Sequence, residues 1–73
     1  MGTKEWLNNL ANNLKKERKK LNISQQKLAE LSKLSIATVK RVEQSSAQNL
    51  TLETIEVLGH ALKKADPLDL LKK

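Results

Sequence analysis

Apolar side chains recur along this chain at the three- and four-residue steps of an α-helix, and no stretch alternates in the manner of a β-strand. The first such stretch predicts an amphipathic helix over residues 4–20, with lysines on its opposite face. A later stretch predicts a helix over residues 52–63, for which Thr51 is a suitable N-cap. The pattern therefore predicts an all-α fold with one of its longer helices near each end of the sequence.

Two shorter helices are predicted between these two. Ser24 is a good N-cap, because its hydroxyl can accept a hydrogen bond from a free backbone N–H group, and it opens a helix over residues 25–31. Ser35 caps the next helix, over residues 36–44. Because only residues 32–34 separate the two helices, the connection is predicted to be a tight turn.

A fifth, short helix is predicted near the C-terminal end. Asp66 is its N-cap, Pro67 stands at the first helical position, where no N–H group is needed, and Asp69 lies in the first turn. Residues 1–73 are thus predicted to form a single domain, a compact bundle of five short helices.

Composition excludes several classes of protein. The chain of 73 residues has no cysteine and a single histidine, His60, so disulfides, thiolate sites and multi-histidine metal sites are not expected. The sequence shows no Cys–His or Ser–His–Asp set that this histidine could complete and no glycine-rich phosphate-binding loop, so we expect no enzyme activity. No metal and no cofactor are expected either. One aromatic residue, Trp6, is too few for a base-stacking RNA-binding sheet. Without a signal peptide or an apolar run of about 20 residues, a cytoplasmic protein is expected.

Charge is distributed unevenly. The net charge is +6, of which residues 1–23 contribute +4, residues 24–50 contribute +2 and residues 51–73 contribute nothing. This distribution predicts a basic surface that faces a polyanion and a neutral surface that faces something else. Lysine-rich helices that merely face solvent are the alternative interpretation.

The segment Ser24–Glu43 reads SQQKLAELSKLSIATVKRVE and resembles the helix-turn-helix of the Cro and CI repressor family. In that family the first short helix begins with Ser-Gln, continues with Leu-Ala, and leads through a turn to a serine and an apolar–basic–apolar–Glu ending. Residues 50–62 resemble the next helix of the family. The resemblance as a whole covers residues 15–62. Lys33 and Ser45 depart from the pattern, because the family usually has glycine at these two positions.

The resemblance implies a lambda-repressor-like domain, with a helix-turn-helix over about residues 24–44 whose second helix enters the major groove of DNA. The positions that match base-facing residues of the family are Ile36, Ala37, Lys40 and Arg41. Arg41 can donate to guanine O6 and N7, whereas Ile36 and Ala37 can contact only thymine methyl groups. The candidate phosphate contacts are Gln25, Ser35, Thr38, Gln44, Ser46, Gln48 and Asn49. Arg18 and Glu43 match a structural ion pair of the family.

These observations predict a sequence-specific regulator of transcription, a repressor or autoregulator whose partner is double-stranded DNA. One helix reads only about 4 to 6 base pairs, so we expect a homodimer on a pseudo-palindromic operator. The neutral C-terminal third offers more leucine and valine than one small core needs. The candidate interface residues are Leu50, Val57, Leu68, Leu70 and Leu71.

A protein-interaction module, such as an antitoxin whose main partner is a toxin, is the alternative function. It predicts an exposed apolar patch around Trp6, Leu7 and Leu10 that the core of the domain does not use. A membrane-surface helix over residues 4–20 would leave residues 24–62 unexplained, so we do not expect it.

Overall fold

The structure is a computed structural model that describes residues 5–47 and 50–72. Within these ranges the chain forms four α-helices and one 3₁₀ helix, and no strand. The elements are α1 (Glu5–Lys20), α2 (Gln25–Ser32), α3 (Ile36–Glu43), α4 (Leu52–Ala61) and the 3₁₀ helix (Pro67–Leu71).

The core is built around the buried face of α1. Leu10 and Leu14 of this helix are fully buried, as are Leu28 of α2 and Leu58 of α4. The helix α1 packs against α3 and the 3₁₀ helix, while α2 packs against α3 and α4. The all-α fold predicted from the helical periodicity is therefore confirmed, and α2 and α3 are held together as a unit by the helices on either side.

The helix N-termini are capped by the hydroxyl residues that the sequence indicated. Ser24 Oγ accepts a hydrogen bond of 3.0 Å from the backbone N of Lys27. Ser35 Oγ and Thr51 Oγ1 accept equivalent bonds of 3.1 and 3.2 Å in α3 and α4. Each cap satisfies one of the backbone donors that a helix leaves free at its start, and so fixes where the helix begins.

Each of the four α-helices is followed by a residue in the left-handed backbone conformation, and none of the four is glycine. At Lys33, after α2, φ is 61°, and the N–H group of Leu34 donates to the carbonyl of Ala29 at 3.0 Å. This is the 6→1 bond of a Schellman motif, which satisfies a carbonyl at the helix end. The other three residues are Asn22, Ser45 and Lys63, with φ of 58°, 58° and 61°.

The fifth predicted helix is a 3₁₀ helix rather than an α-helix. Asp69 N donates to Asp66 O at 2.9 Å and Lys72 N donates to Asp69 O at 3.2 Å, which is the tighter i→i+3 pattern. The element has only five residues, so it cannot close enough i→i+4 bonds to favour an α-helix. The helix α4 also ends at Ala61, two residues before its predicted end, because Lys63 has adopted the left-handed conformation.

The 3₁₀ helix is fastened to both α4 and α1. A Cβ atom placed on Gly59 would lie 2.5 Å from Pro67 Cβ and 2.7 Å from Pro67 Cα, so only glycine allows this approach. On the other side, Asn13 Nδ2 donates to the carbonyl of Leu70 at 2.9 Å and Asn9 Nδ2 donates to that of Leu71 at 3.2 Å. The 3₁₀ helix thus completes the core against α1, although the two elements lie far apart in the sequence.

Candidate nucleic-acid interface

The helix α3 has one buried face and one exposed face. Val39 and Val42 are fully buried, whereas the four residues predicted to read bases are all exposed: Ile36, Ala37, Lys40 and Arg41. Positions separated by one, three and four residues share one side of an α-helix, so these four side chains form a continuous surface. Ile36 keeps 39% of its surface exposed, which is consistent with an apolar contact that the core does not supply.

In the described part of the chain, the exposed basic side chains of α3 have no acidic partner. Among the residues that the structure describes, neither Lys40 nor Arg41 forms an ion pair; the pairs present involve Arg18, Lys20, Lys64 and Lys72. Lys27 of α2 is also exposed and makes no ion pair in these ranges. These cations are therefore free to meet phosphate or the acceptor atoms of guanine.

Ser35 and Thr38 form a hydroxyl pair at the N-terminus of α3. Their oxygen atoms lie 2.9 Å apart, in addition to the capping bond from the Thr38 backbone to Ser35. Both side chains were predicted to contact phosphate, and the structure shows that both already serve the cap. One hydroxyl proton of the pair remains for an external acceptor, so a phosphate contact stays a prediction for both.

One carboxylate connects α1, α2 and α3. Glu43, the last residue of α3, lies with Oε2 at 2.7 Å from Arg18 Nε and Oε1 at 3.2 Å from Arg18 Nη2. The predicted ion pair between Arg18 and Glu43 is therefore present, and its side chains are 14% and 3% exposed. Arg18 Nη1 also donates to the carbonyl of Ile23 at 3.0 Å, between α1 and α2. This fork fixes the C-terminal end of α3 relative to α1.

Gln25 joins the same carboxylate. Its Nε2 donates to Glu43 Oε1 at 3.0 Å, a contact that the sequence reasoning did not find. The two residues are 18 positions apart and belong to different helices, so no local spacing in the sequence predicts the bond. The phosphate contact of Gln25 stays a prediction. One of the two N–H groups of its amide is already bonded to Glu43.

The segment after α3 folds back onto that helix. Ser46 donates from its backbone N and from its Oγ to the carbonyl of Arg41, at 2.9 and 3.3 Å. Gln44 is exposed next to it at the helix end, while the predicted contacts Gln48 and Asn49 lie outside the described residues. Arg41 and Ser46 border an open groove of about 620 Å³ between α3 and α4. Its remaining lining residues are Leu34, Thr38, Ala47, Leu50 and Thr54.

The structure places four of the predicted interface residues in two regions and corrects the fifth. Leu70 is 1% exposed and packs in the core, so it does not belong to an interface; the 3₁₀ helix turns this leucine inward. Val57, within α4, and Leu50, just before that helix, are half-buried. At the other place, Leu68 is 45% exposed and Leu71 is half-buried against the core.

Sequence reasoning did not single out two exposed leucines as surface residues. Leu52, at the start of α4, is 58% exposed, although it stands three residues before the buried Ile55 of the same helix. Leu31, at the end of α2, is 48% exposed and borders a mainly apolar groove of about 390 Å³ with Val57 and Ala61. Neither leucine has a signal in the sequence, because which side of a short helix is covered depends on how its neighbours pack.

The apolar patch expected for a protein-interaction module is largely absent from α1. Leu7 is 8% exposed and Leu10 is fully buried, so both belong to the core. Only Trp6, at 41%, is exposed. The feature that would have favoured the alternative function is thus reduced to one side chain.

The described part of the chain contains neither a candidate metal site nor a membrane-spanning helix. Residues 5–47 and 50–72 bring together no three His, Cys, Asp or Glu side chains that could hold a metal ion. No helix in these ranges combines the length and the apolar character that crossing a membrane requires.

In this all-α domain, α3 exposes a basic face while α1 and α2 pack against the helix from the other side. This is the architecture of a DNA-reading module. The sequence model of the helix-turn-helix family matches residues 14–67, and the chain therefore belongs to the helix-turn-helix family. This confirms the resemblance seen in the sequence and identifies a DNA-binding regulator of transcription, a class of protein that binds double-stranded DNA.

A solved structure supports the same conclusion. The fold is similar to the crystal structure of the restriction-modification controller protein C.AhdI from Aeromonas hydrophila, with a TM-score of 0.79 and 33% sequence identity. The similarity covers 88% of this chain and 94% of that chain. None of the curated protein sequences compared with the chain matches it. The antitoxin-like alternative is not favoured by these comparisons.

Proposed function

We propose that the protein is a sequence-specific repressor or autoregulator that binds a pseudo-palindromic operator as a homodimer. The observation that carries this proposal is the exposed face of α3, where four side chains point away from the core and the two basic ones have no ion-pair partner in the described part of the chain. A helix with this face can enter the major groove, which is wide enough for it. The similar protein C.AhdI is described as a controller protein, which supports a regulatory role.

The four side chains of this face divide the work of recognition. Arg41 has the planar fork that donates to guanine O6 and N7, a contact worth about 1 to 3 kcal/mol of discrimination. Ile36 and Ala37 have no donors and would favour thymine, whose methyl group they can contact. Lys40 is an exposed point charge that reaches either a base or a phosphate. The expected half-site therefore contains a guanine next to one or more thymines.

Dimerisation is part of the proposal because one such helix reads too few base pairs for useful specificity. Two copies related by a two-fold axis would place their recognition helices about 34 Å apart, one turn of B-DNA. Two surfaces with exposed or half-buried apolar residues are candidates for this pairing. One is at α4, with Leu50 and Val57, and the other is at the 3₁₀ helix, with Leu68 and Leu71. The near-neutral charge of the C-terminal third favours pairing there, since the remainder of the chain is basic.

Selection of binding sites from random duplex DNA tests the proposal. We would select at about 150 mM salt, where weak phosphate contacts are screened. An enriched inverted repeat with half-sites one helical turn apart is the expected result. A single short half-site would retain DNA recognition and remove the dimer, and no enrichment by folded protein would contradict the proposed function. Protein with Arg41→Ala is the matched control, because it should lose the preference for guanine.

A further inference from the structure

The carboxylate of Glu43 is placed to act on more than the stability of the fold. It is buried, it lies at the end of the recognition helix, and it accepts three hydrogen bonds. Two come from Arg18, whose positive charge balances it. The third comes from Gln25, a neutral side chain that the fold does not need for charge balance. The bond therefore has two effects: it satisfies a further lone pair of the buried carboxylate, and it restrains the side chain of Gln25.

Gln25 is the first residue of α2, the helix expected to cross the DNA backbone. Its side chain is half-buried, and its amide nitrogen carries two N–H groups, of which Glu43 engages one. A long amide side chain at this position would otherwise sample several rotamers, and binding to a phosphate would have to select one of them. The bond to Glu43 restricts this choice before DNA arrives.

We propose that Glu43 is a positioning residue for DNA binding: it holds the amide of Gln25 so that the second Nε2–H group donates to a backbone phosphate. The inference rests on the proposed function, because it concerns the same protein–DNA interface. Arg18 has a role in it as well, since its guanidinium offsets the negative charge that would otherwise repel a phosphate near Glu43. The recognition helix and the backbone contact are thereby set in register by one carboxylate.

This arrangement predicts how Gln25→Ala behaves. Losing a hydrogen bond to a charged acceptor weakens binding on the order of 10-fold, and equally on specific and random DNA, because phosphates carry no sequence information. The dependence of affinity on salt should not change, since a neutral amide releases no counterion. Loss of a lysine contact would instead lower the salt slope, so the two kinds of contact are distinguishable.

The decisive experiment measures the cost of Gln25→Ala with and without the carboxylate. The background without it is the double variant Arg18→Met, Glu43→Leu, which removes both charges and leaves no unpaired ion in the core. Far-UV circular dichroism and a melting curve establish that each protein is folded at the temperature of the binding assay. In this background Gln25→Ala should cost at most about 2-fold, against about 10-fold in the unmodified chain.

An equal cost of Gln25→Ala in both backgrounds would overturn the inference, because Gln25 would then act without Glu43. A purely structural role of the pair would lower the melting temperature but would not change this ratio. Arg41→Ala is the internal control: an equal cost of Arg41→Ala in both backgrounds shows that the double variant has not displaced α3, so that a smaller cost of Gln25→Ala reports the lost bond to Glu43.

The controls also separate this inference from the proposed function. If Gln25→Ala has no effect while Arg41→Ala removes specificity, the positioning role is wrong and the regulator proposal stands. If the unmodified, folded protein selects no DNA sequence and binds no duplex, both are wrong.

Discussion

The helix-turn-helix and the C-terminal end of the molecule are held in place by different kinds of contact. Around α3, the position of the helix depends on directional bonds to charged groups, centred on Glu43 and Arg18. At the other end, α4 and the 3₁₀ helix fit by shape, with the bare backbone of Gly59 against the ring of Pro67, and the hydrogen bonds from α1 to the 3₁₀ helix come from neutral asparagine amides. Leu70 then fills the core behind this contact.

The difference corresponds to what each region has to control. A forked ion pair fixes angles as well as distances, and side chains that read base edges need both. Close packing of backbone and ring fixes a distance between two elements but leaves no polar group oriented at the surface. The DNA-facing region therefore uses the more directional contact, and the supporting region uses the one that needs no buried charge.

The largest effect is expected where the ion pair is broken. Arg18→Ala would leave the Glu43 carboxylate buried without its countercharge, which costs about 3 to 5 kcal/mol of unfolding free energy. Urea denaturation followed by circular dichroism measures this loss. Lys19→Ala, at an exposed neighbouring position of α1, is the control and should change stability by less than about 0.5 kcal/mol. Similar losses in the two variants would remove the ion pair as the feature that holds α3.

Breaking the shape-based contact should cost less. Gly59→Ala places a methyl group within 3 Å of both Pro67 Cα and Pro67 Cβ. The gain in helix propensity, about 1 kcal/mol, offsets part of the strain, and we expect a net loss of about 2 kcal/mol. Thermal unfolding of Gly59→Ala beside His60→Ala, an exposed position of the same helix, measures it. A higher melting temperature for Gly59→Ala would show that the 3₁₀ helix moves away at little cost.

A third change sharpens the comparison by affecting DNA binding without affecting the fold. Arg41→Ala removes an exposed side chain, so stability should be nearly unchanged, while affinity for the preferred site should fall by about 1 to 3 kcal/mol. Affinity for random duplexes should fall far less. Lys72→Ala, which removes an exposed cation at the C-terminal end, is the control and should leave the preference intact. Equal losses on preferred and random DNA would show that Arg41 contacts phosphate.

The smallest effects should be alike in the two regions. Lys33 and Lys63 follow α2 and α4 in the same left-handed conformation, and glycine at either position removes a cost of about 1 kcal/mol. We expect Lys33→Gly and Lys63→Gly each to raise the melting temperature. Lys27→Gly, within α2, should lower it by a comparable free energy. A decrease with Lys33→Gly would contradict the geometry of the turn.

Local chemistry made most of the fold predictable. The caps at Ser24, Ser35 and Thr51 act within one turn of helix, so sequence alone located the starts of α2, α3 and α4. The exposed face of α3 followed from helical spacing together with the family resemblance. Lys33, which stands where the family usually has glycine, adopts the left-handed conformation that glycine adopts at little cost.

The remainder depended on contacts between distant parts of the chain. Leu70 was assigned to an interface because an excess of leucines says nothing about which of them the core admits. The C-terminal helix was predicted without regard to how few i→i+4 bonds it could form. The bond between Gln25 and Glu43 requires two helices to be placed first, so no spacing in the sequence could reveal it.

The left-handed residues that end the helices have a consequence for the lifetime of the protein in a cell. Asn22 tolerates this conformation, but Lys33, Ser45 and Lys63 each lose about 1 kcal/mol of stability through it, in a domain whose class is stable by only about 5 to 15 kcal/mol. Proteases cleave the transiently opened chain, so degradation follows the population of that open state. We therefore expect three residues that favour opening to shorten the half-life of the protein after its synthesis stops. A pulse–chase comparison with the variant carrying glycine at all three positions should show slower decay.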